Sequence, residues 1–400
     1  MLVAKRIDGQ RLSLGDKWDK KNLSVIRRQE KFYCPECNEE VILKLGSKRM
    51  WHFSHQSGSS CQNQYERESE YHMSGKLQLY HWLRKQGINA ELEKFDPLIS
   101  QRPDIAFVWQ KQKYAIEFQC SVIPEELFVK RTNKYIEFGY KPIWIAAANL
   151  IKRTGNNMVS VSNFLSFFLR RPLHTWNIPA FCPITSQFIN LHGALPISSR
   201  KTITHLEVHS VKTFSIIHLL KPAEKHFPII KTWQTENQKL KSRFLTYPGA
   251  RQNPFLQTLY QHGLSLLTLP PELGLPVPSS PYIETPPLIW QTYLFLDVFK
   301  HSKKGNMIKY HTIRQAFLKR VNRGHVRLRT IPLAGRGDYL HPLAEYVFLL
   351  VKVSFLERLN SATVKQIGEM NIPATIEAQI ESEAQFLRKY ENKMEESFFK

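Results

Sequence analysis

The 400-residue sequence contains no run of about 18 apolar residues, and no apolar signal core follows Met1. These absences argue against a membrane-spanning or secreted protein. The five cysteines are too few and too scattered for a disulfide framework, so we expect a reduced, cytoplasmic setting. Hydrophobic residues make up 42% of the sequence, which excludes wholesale disorder.

Acidic residues are scarce relative to basic ones, because 56 Lys and Arg stand against 34 Asp and Glu and give a net charge of +22. Residues 151–400 carry 32 basic and 16 acidic side chains, a charge of +16. Between Phe299 and Gly337 there is no acid, and the cations there are Lys300, Lys303, Lys304, Lys309, Arg314, Lys319, Arg320, Arg323, Arg327, Arg329 and Arg336.

A basic run without compensating acids attracts polyanions. It favours nucleic acid as the partner over an acidic protein or anionic lipid. We assign contacts with DNA to Lys319, Arg320 and Arg323, and we expect those contacts to be independent of sequence.

A candidate metal site lies near the N-terminus. Cys34-Pro-Glu-Cys37 is followed by His52-Phe-Ser-His55 and then by Cys61. Two thiolates two residues apart can grip one zinc ion, and a second pair completes the tetrahedron. The ligands are either both cysteines with both histidines, or a set in which Cys61 replaces one histidine. The zinc is structural, because the connecting hairpin is too short to have much apolar area of its own to bury.

The segment after this site has the order helix, three strands, helix, strand. The predicted elements are a helix over Tyr65–Gln86, strands over Asn89–Phe95, Pro103–Trp109 and Lys113–Cys120, a helix from Pro124 to about Gly139, and a strand from Lys141.

Two carboxylates lie on the hairpin within this segment. Arg102-Pro-Asp104 begins one strand, and Glu117-Phe-Gln119 lies on the next, so Asp104 and Glu117 are expected side by side. Charged groups in a sheet are costly unless they are paired, and Mg²⁺ or Mn²⁺ would pair both acids and activate a phosphodiester. The structural alternative is that Asp104 caps a strand and Glu117 pairs with Arg102 or Lys76.

The two helices carry further candidates. Glu68, His72 and Lys76 are spaced by four residues and share one helix face. Contact with phosphate or proton transfer would suit His72 and Lys76. On the second helix, Lys130, Arg131, Lys134 and Tyr135 suit a backbone phosphate beside the site.

The strand residues resemble the PD-(D/E)xK nuclease superfamily. That resemblance implies that Asp104 and Glu117 bind the catalytic metal and that Glu68 is the helix acid some members add. The third motif position, usually Lys, is Gln119 here. A glutamine can orient water but supplies no positive charge, which leaves a catalytically silent DNA-binding or recombinase-assisting protein as the alternative to a nuclease.

The whole combination, over about residues 25–150, resembles the competence protein CoiA family. It comprises the Cys34–Cys37 knuckle, His52 and His55, the helix face, and the two strand motifs. The resemblance implies a role in natural transformation, acting on incoming DNA and in recombination with partner proteins. Charge alone leaves RNA open as the substrate.

The predicted architecture is a multidomain α+β or α/β protein. It comprises an N-terminal zinc-binding hairpin (residues 1–64), an αβββαβ nuclease-like domain (65–220, core 65–150) and a helical basic domain (221–400). Prolines from Leu269 to Leu288 predict an extended connector or a long ordered loop.

Overall fold

The computed structural model describes residues 1–56, 58–59, 61, 68–223, 227–334 and 339–398. The chain forms two compact units. The first comprises residues 1–151, 167–191 and 206–223, and the second comprises 152–166, 192–205 and 224–400. Among the described residues, no helix combines the length and the apolar character needed to cross a bilayer.

The first unit begins with a five-stranded antiparallel sheet and helix α1 (Lys20–Gln29). In space the strands run β2-β1-β3-β4-β5. Their bounds are β1 (Val3–Arg6), β2 (Arg11–Ser13), β3 (Phe32–Tyr33), β4 (Glu40–Lys44) and β5 (His52–His55). Leu23, Phe32, Leu43 and Phe53 form an apolar cluster inside it. The segment therefore buries a core of its own, in contrast to the bare hairpin expected from the sequence.

The next part of the first unit has the predicted order of helix, three strands, helix and strand. Its elements are α2 (Glu70–Lys85), β6 (Ala90–Leu92), β7 (Ile105–Trp109), β8 (Gln112–Gln119), α3 (Glu125–Glu137) and β9 (Tyr140–Ala147). Strands β6, β7 and β8 pair antiparallel, and β9 lies parallel to β8. Helix α2 starts after its N-cap Ser69, so Glu68 precedes the helix instead of lying on its face.

The sheet continues through β12 (Asn177–Cys182), which is parallel to β9, and a long hairpin of β13 (Gln187–Pro196) and β14 (Lys201–Ser210). The hairpin contributes residues to both units. Its base belongs to the first unit and its tip to the second. Helix α5 (Ile216–Leu220) completes the first unit.

Most of the second unit follows residue 224, but three short elements come earlier in the chain. These are β10 (Lys152–Gly155), β11 (Met158–Ser160) and α4 (Asn163–Ser166), and β11 pairs with the tip of β14. The later elements are α6 (Ile229–Thr246), α7 (Pro254–Gln261), α8 (Pro287–Leu294), β15 (Met307–Lys309), α9 (Tyr310–Asn322), α10 (His341–Lys352), β16 (Leu356–Arg358), β17 (Thr363–Gln366) and α11 (Ile376–Glu395).

The proline-rich stretch is a long ordered loop, which was one of its two predicted forms. Leu269, Leu275 and Val277 are buried in the core of the second unit. The Gln291 side chain accepts hydrogen bonds from the amides of Gly274 and Leu275, each at 2.8 Å. These contacts satisfy backbone groups that a proline-rich segment cannot pair within a helix or sheet.

Candidate functional site

Helix α2 packs close to the sheet of the nuclease-like segment because it carries Gly75 at the contact. A methyl group at that position would overlap the ring of Phe118 on β8. The close approach brings His72 and Lys76 to Asp104, at the start of β7.

Lys76 is fully buried, and three carboxylates surround its ammonium group. Nζ lies 2.6 Å from Glu68 Oε1 and 3.6 Å from Asp104 Oδ1, and it also contacts Glu93. Burial alone would lower the pKa of Lys76, but Glu68, Glu93 and Asp104 outweigh it and raise the pKa. Lys76 is therefore held as a cation that compensates buried negative charge.

Glu93 belongs to this cluster although nothing in the sequence indicated it. Its backbone has φ of 47°, in the left-handed region, and this turns the side chain inward at the end of β6. Oε2 accepts hydrogen bonds from the amides of Leu2 at 2.7 Å and Val3 at 3.2 Å. A glutamate at positive φ has no pattern that would reveal it, because that region favours Gly, Asn and Asp.

Asp104 is held by α2 and by the neighbouring strand. Its Oδ2 accepts the Phe118 amide at 2.8 Å and lies 3.4 Å from His72 Nε2. Burial would raise the pKa of Asp104, but Lys76, His72 and the Phe118 amide outweigh it and set the pKa to about 2. The carboxylate is therefore ionised and already compensated by protein groups.

Glu117 is 2% exposed and has different partners. Its Oε1 accepts a hydrogen bond from Arg131 Nη2 at 2.7 Å and another from the hydroxyl of Tyr135, both on α3. The Arg131 guanidinium also lies over the Trp144 ring, 5.2 Å from its centroid. Burial and the nearby Glu117 raise the pKa of Tyr135 well above its ordinary value, so its phenol stays protonated as a donor.

The two strand acids are engaged by helices on opposite faces of the sheet. The ladder between β7 and β8 begins at the pair of Ile105 and Ile116, so Asp104 and Glu117 each adjoin its first pair along the chain. Phe118 faces α2, however, and its neighbour Glu117 must face the other way, towards α3. In the described chain, no three Asp, Glu, His or Cys ligand atoms converge here.

Gln119 lies on the same face of β8 as Glu117 and is 4% exposed. Its amide Nε2 donates to the carbonyl of Ser121 at 2.9 Å and lies 3.3 Å from the Ser121 hydroxyl. The side chain is thus turned to the backbone just beyond the strand. The third motif position supplies no cation to either acid.

A separate cluster of metal-ligating groups lies at the N-terminal sheet. The ligand atoms of Cys34, Cys37, His55 and Cys61 all lie within 4.8 Å of one another. Burial raises the pKa of Cys37 to about 12, and the thiols of Cys61 and Cys34 add to the effect. Three thiols and one imidazole at this spacing fit a tetrahedral zinc ion, which supplies charge compensation and a crosslink when bound.

His52 is not part of this cluster, so the ligand set with both histidines is wrong and the alternative with Cys61 replaces it. His52 and His55 are three residues apart on β5, and side chains at that spacing point to opposite faces of a strand. The Nδ1 of His52 instead lies 2.9 Å from the Met50 carbonyl oxygen.

The predicted DNA-contacting cations divide into exposed and engaged groups. Lys130, Lys319 and Arg323 are exposed and Lys134 is half-buried, whereas Arg131 is bound to Glu117. Arg320 donates to both carboxylate oxygens of Asp297, at 2.7 and 2.6 Å, and lies 4.3 Å from the centroid of the Tyr293 ring. The Arg320 guanidinium therefore makes structural contacts within the protein. Arg336 of the basic run lies outside the described residues.

Comparison with known proteins gives consistent matches along the chain. The family model described as "Competence protein CoiA, nuclease-like domain" matches residues 68–224. The models for the N-terminal and C-terminal domains of the same family match residues 15–64 and 229–380. A curated relative, "Competence protein CoiA" of Bacillus subtilis (strain 168), is 25% identical over 348 residues, covering 87% of this chain and 91% of the relative. No solved structure matches the chain.

Proposed function

The chain belongs to the competence protein CoiA family, and we propose that it binds DNA during natural transformation and recombination, with a nuclease-like domain that holds the DNA backbone without cutting it. The working location of this activity is the cytoplasm, and recombination proteins are its partners. The net charge of +22 supports a polyanionic ligand.

The observation that carries this proposal is the pairing of each strand acid with a protein cation. Glu117 is bound by Arg131 and Asp104 is compensated by Lys76, and His72 Nε2 lies 3.4 Å from Asp104 Oδ2. A divalent ion that bound both acids would have to displace these groups and leave buried cations without partners, which is costly. Gln119 adds no positive charge near the acids.

The test compares DNA binding and divalent-ion binding in the zinc-loaded full chain. We expect DNA binding to be unchanged when Mg²⁺ is omitted, and titration with MnCl₂ to give the same calorimetric trace for the native chain, Asp104→Asn and Glu117→Gln. Magnesium is omitted rather than chelated, because a chelator would also remove zinc from the thiol cluster. Cleavage of DNA with Mn²⁺ that both substitutions abolish would overturn the proposal.

A second candidate function is metal-dependent DNA cleavage, and the position of Lys76 favours it. Lys76 Nζ lies 3.6 Å from Asp104, so it places near that acid the positive charge that Gln119 cannot supply. In this reading Asp104 and Glu117 hold Mg²⁺ or Mn²⁺, Glu68 supports them, His72 moves a proton and Gln119 orients water. Arg131 then has to release Glu117.

This requirement separates the two candidates. If cleavage is the function, Arg131→Gln frees Glu117 and strengthens Mn²⁺ binding relative to the native chain. If the acids are silent, the same substitution lowers stability and leaves Mn²⁺ binding undetected. Lys130→Gln is the matched control, since it removes an exposed cation from the same helix.

A further inference from the structure

The C-terminal part of the second unit contains a compact set of helices and strands in a recognisable order. Helix α8 is followed by β15, α9, α10, β16 and β17, and the three strands form an antiparallel sheet in the order β15-β17-β16. Helix, strand, two helices and a two-stranded wing is the order of winged-helix modules, many of which bind nucleic acid. Fold order alone does not establish function.

The basic run lies on this module, and its cations do not all serve the same purpose. Arg320 is tied to Asp297, and Arg329 Nη1 donates to the Pro281 carbonyl at 2.8 Å. Both guanidinium groups are therefore engaged in hydrogen bonds within the protein. Lys319 and Arg323, by contrast, are exposed.

The exposed cations belong to a continuous polar face of α9. Side chains three or four residues apart share one face of a helix, and this spacing links five exposed residues, which we call the α9 strip: Thr312, Gln315, Lys319, Asn322 and Arg323. The strip is about 16 Å long at 1.5 Å per residue. It contains two cations and three uncharged hydrogen-bonding side chains, and such groups make most phosphate contacts in protein–DNA complexes.

In the order of elements, helix α10 corresponds to the helix that usually enters the major groove in DNA-binding winged-helix modules. Most of its large side chains, however, are buried in the core. Leu343, Tyr346 and Leu350 are buried. Glu345 accepts hydrogen bonds from the amide and hydroxyl of Ser279, each at 2.6 Å. Base readout needs side chains that are free to reach the base edges, and α10 has few of them.

We propose that the α9 strip binds the phosphate backbone of DNA and reads no base sequence. This inference rests on the proposed DNA-binding function and assigns it a second contact surface, separate from the nuclease-like domain. Lys319 and Arg323 each neutralise one phosphate, and the uncharged residues of the strip position the strand.

The experiment measures the affinity of the full chain for duplexes of unrelated sequence across a salt series. Replacing Lys319→Gln and Arg323→Gln together is expected to reduce the slope of log affinity against log salt by about 1.8, that is, about 0.9 for each phosphate that is no longer neutralised. The affinity ratio between native and variant chains then changes by about tenfold between 50 and 200 mM salt. We expect the same reduction in slope for every duplex, whatever its sequence.

Two controls separate this surface from a general effect of charge. Arg388→Gln with Lys389→Gln removes two exposed cations from α11, and we expect no change in slope. Arg320→Gln also removes one charge, but we expect it to lower the melting temperature and leave the slope unchanged. Equal slope changes in all three variants would overturn the inference, as would a loss that depends on base sequence. If the native chain binds no DNA, the proposed function fails as well; if it binds with an unchanged slope in the double variant, only this inference fails.

Discussion

Asp104 illustrates how a buried acid in this protein depends on its neighbours. Its carboxylate is ionised because Lys76, His72 and a backbone amide favour the charged form more than burial opposes it. The stability that this carboxylate contributes to the folded protein therefore depends on pH. The sign of that dependence follows from the lowered pKa.

The pKa of Asp104 falls from its ordinary 3.8 to about 2 on folding. A lowered pKa gives stability that is fully present above pH 3.8 and is lost as pH falls through 3.8 towards 2. Asp104→Asn removes this dependence, so we expect the variant to lose about 2 kcal/mol less than the native chain between pH 5 and pH 2.

Urea unfolding across that pH range measures the difference. The thiol cluster is unchanged in both proteins, so its own titration cancels. Glu126→Gln controls for removal of an exposed carboxylate. If the free energies of unfolding of the native protein and the Asp104→Asn variant fall in parallel as the pH is lowered, the lowered pKa assigned to Asp104 is contradicted.

The sequence predicted the hairpin that carries Asp104, Glu117 and Gln119, and β7 and β8 form it. The sequence did not reveal Glu93, whose inward turn depends on one backbone angle, nor the pairing of Glu117 with Arg131. Those contacts join residues on different elements, and sequence spacing carries no information about the face on which a distant helix packs.

Among the elements, α2 depends on a residue without a side chain. Glycine within a helix is ordinarily about 1 kcal/mol less favourable than alanine. Gly75, however, lies directly against the Phe118 ring, and the core there leaves no room for a methyl group.

Gly75→Ala is therefore expected to destabilise the protein by about 1–3 kcal/mol, the opposite of its effect in an exposed helix. Urea unfolding measures the change. Adding Phe118→Leu to the same variant removes the overlap, so we expect the double variant to recover part of the loss relative to the two single changes. A Gly75→Ala protein as stable as the native chain would show that α2 does not need this close approach.

Successive side chains along β5 alternate between faces, and this alternation determines which histidine faces the thiol cluster. We expect about one zinc ion per purified chain, its loss in Cys61→Ser and its retention in His52→Ala. Metal analysis after dialysis measures this. If Cys61→Ser retains zinc and His52→Ala loses it, the ligand assignment is reversed.

The order of helices and strands from α2 to β9 followed from sequence periodicity and from Pro124 at the start of α3. The five-stranded N-terminal sheet did not, because β1, β2 and β3 are two to four residues long. Such short strands show too little alternation to be recognised, and they form only because their neighbours supply the pairing.

Over the whole molecule, the second unit is assembled from segments that are far apart in the chain. Met158, Leu195, Ile197 and Ile203 pack with Phe227, Ile229 and Trp233 in one apolar cluster. Composition and prolines along the chain give no indication that residues 152–166 and 192–205 join the later half.

A fragment of residues 227–400 lacks the earlier half of that cluster. We expect it to unfold at a lower temperature than the full chain and to show red-shifted emission from Trp233, whose indole N–H donates to the Gly274 carbonyl at 2.7 Å in the folded protein. Trp233→Phe in the same fragment isolates the emission of Trp290. A fragment that melts with the native midpoint and emission would contradict a shared core.

The split of the β13–β14 hairpin also sets an order of events during synthesis. Leu195, Ile197 and Ile203 emerge from the ribosome before Phe227 to Trp233, the residues that cover them, emerge. At about 5–20 residues per second this delay lasts a few seconds. During that interval the newborn chain presents an uncovered apolar hairpin, and any pause in translation within it would prolong exposure of the hairpin to chaperones and to other nascent chains.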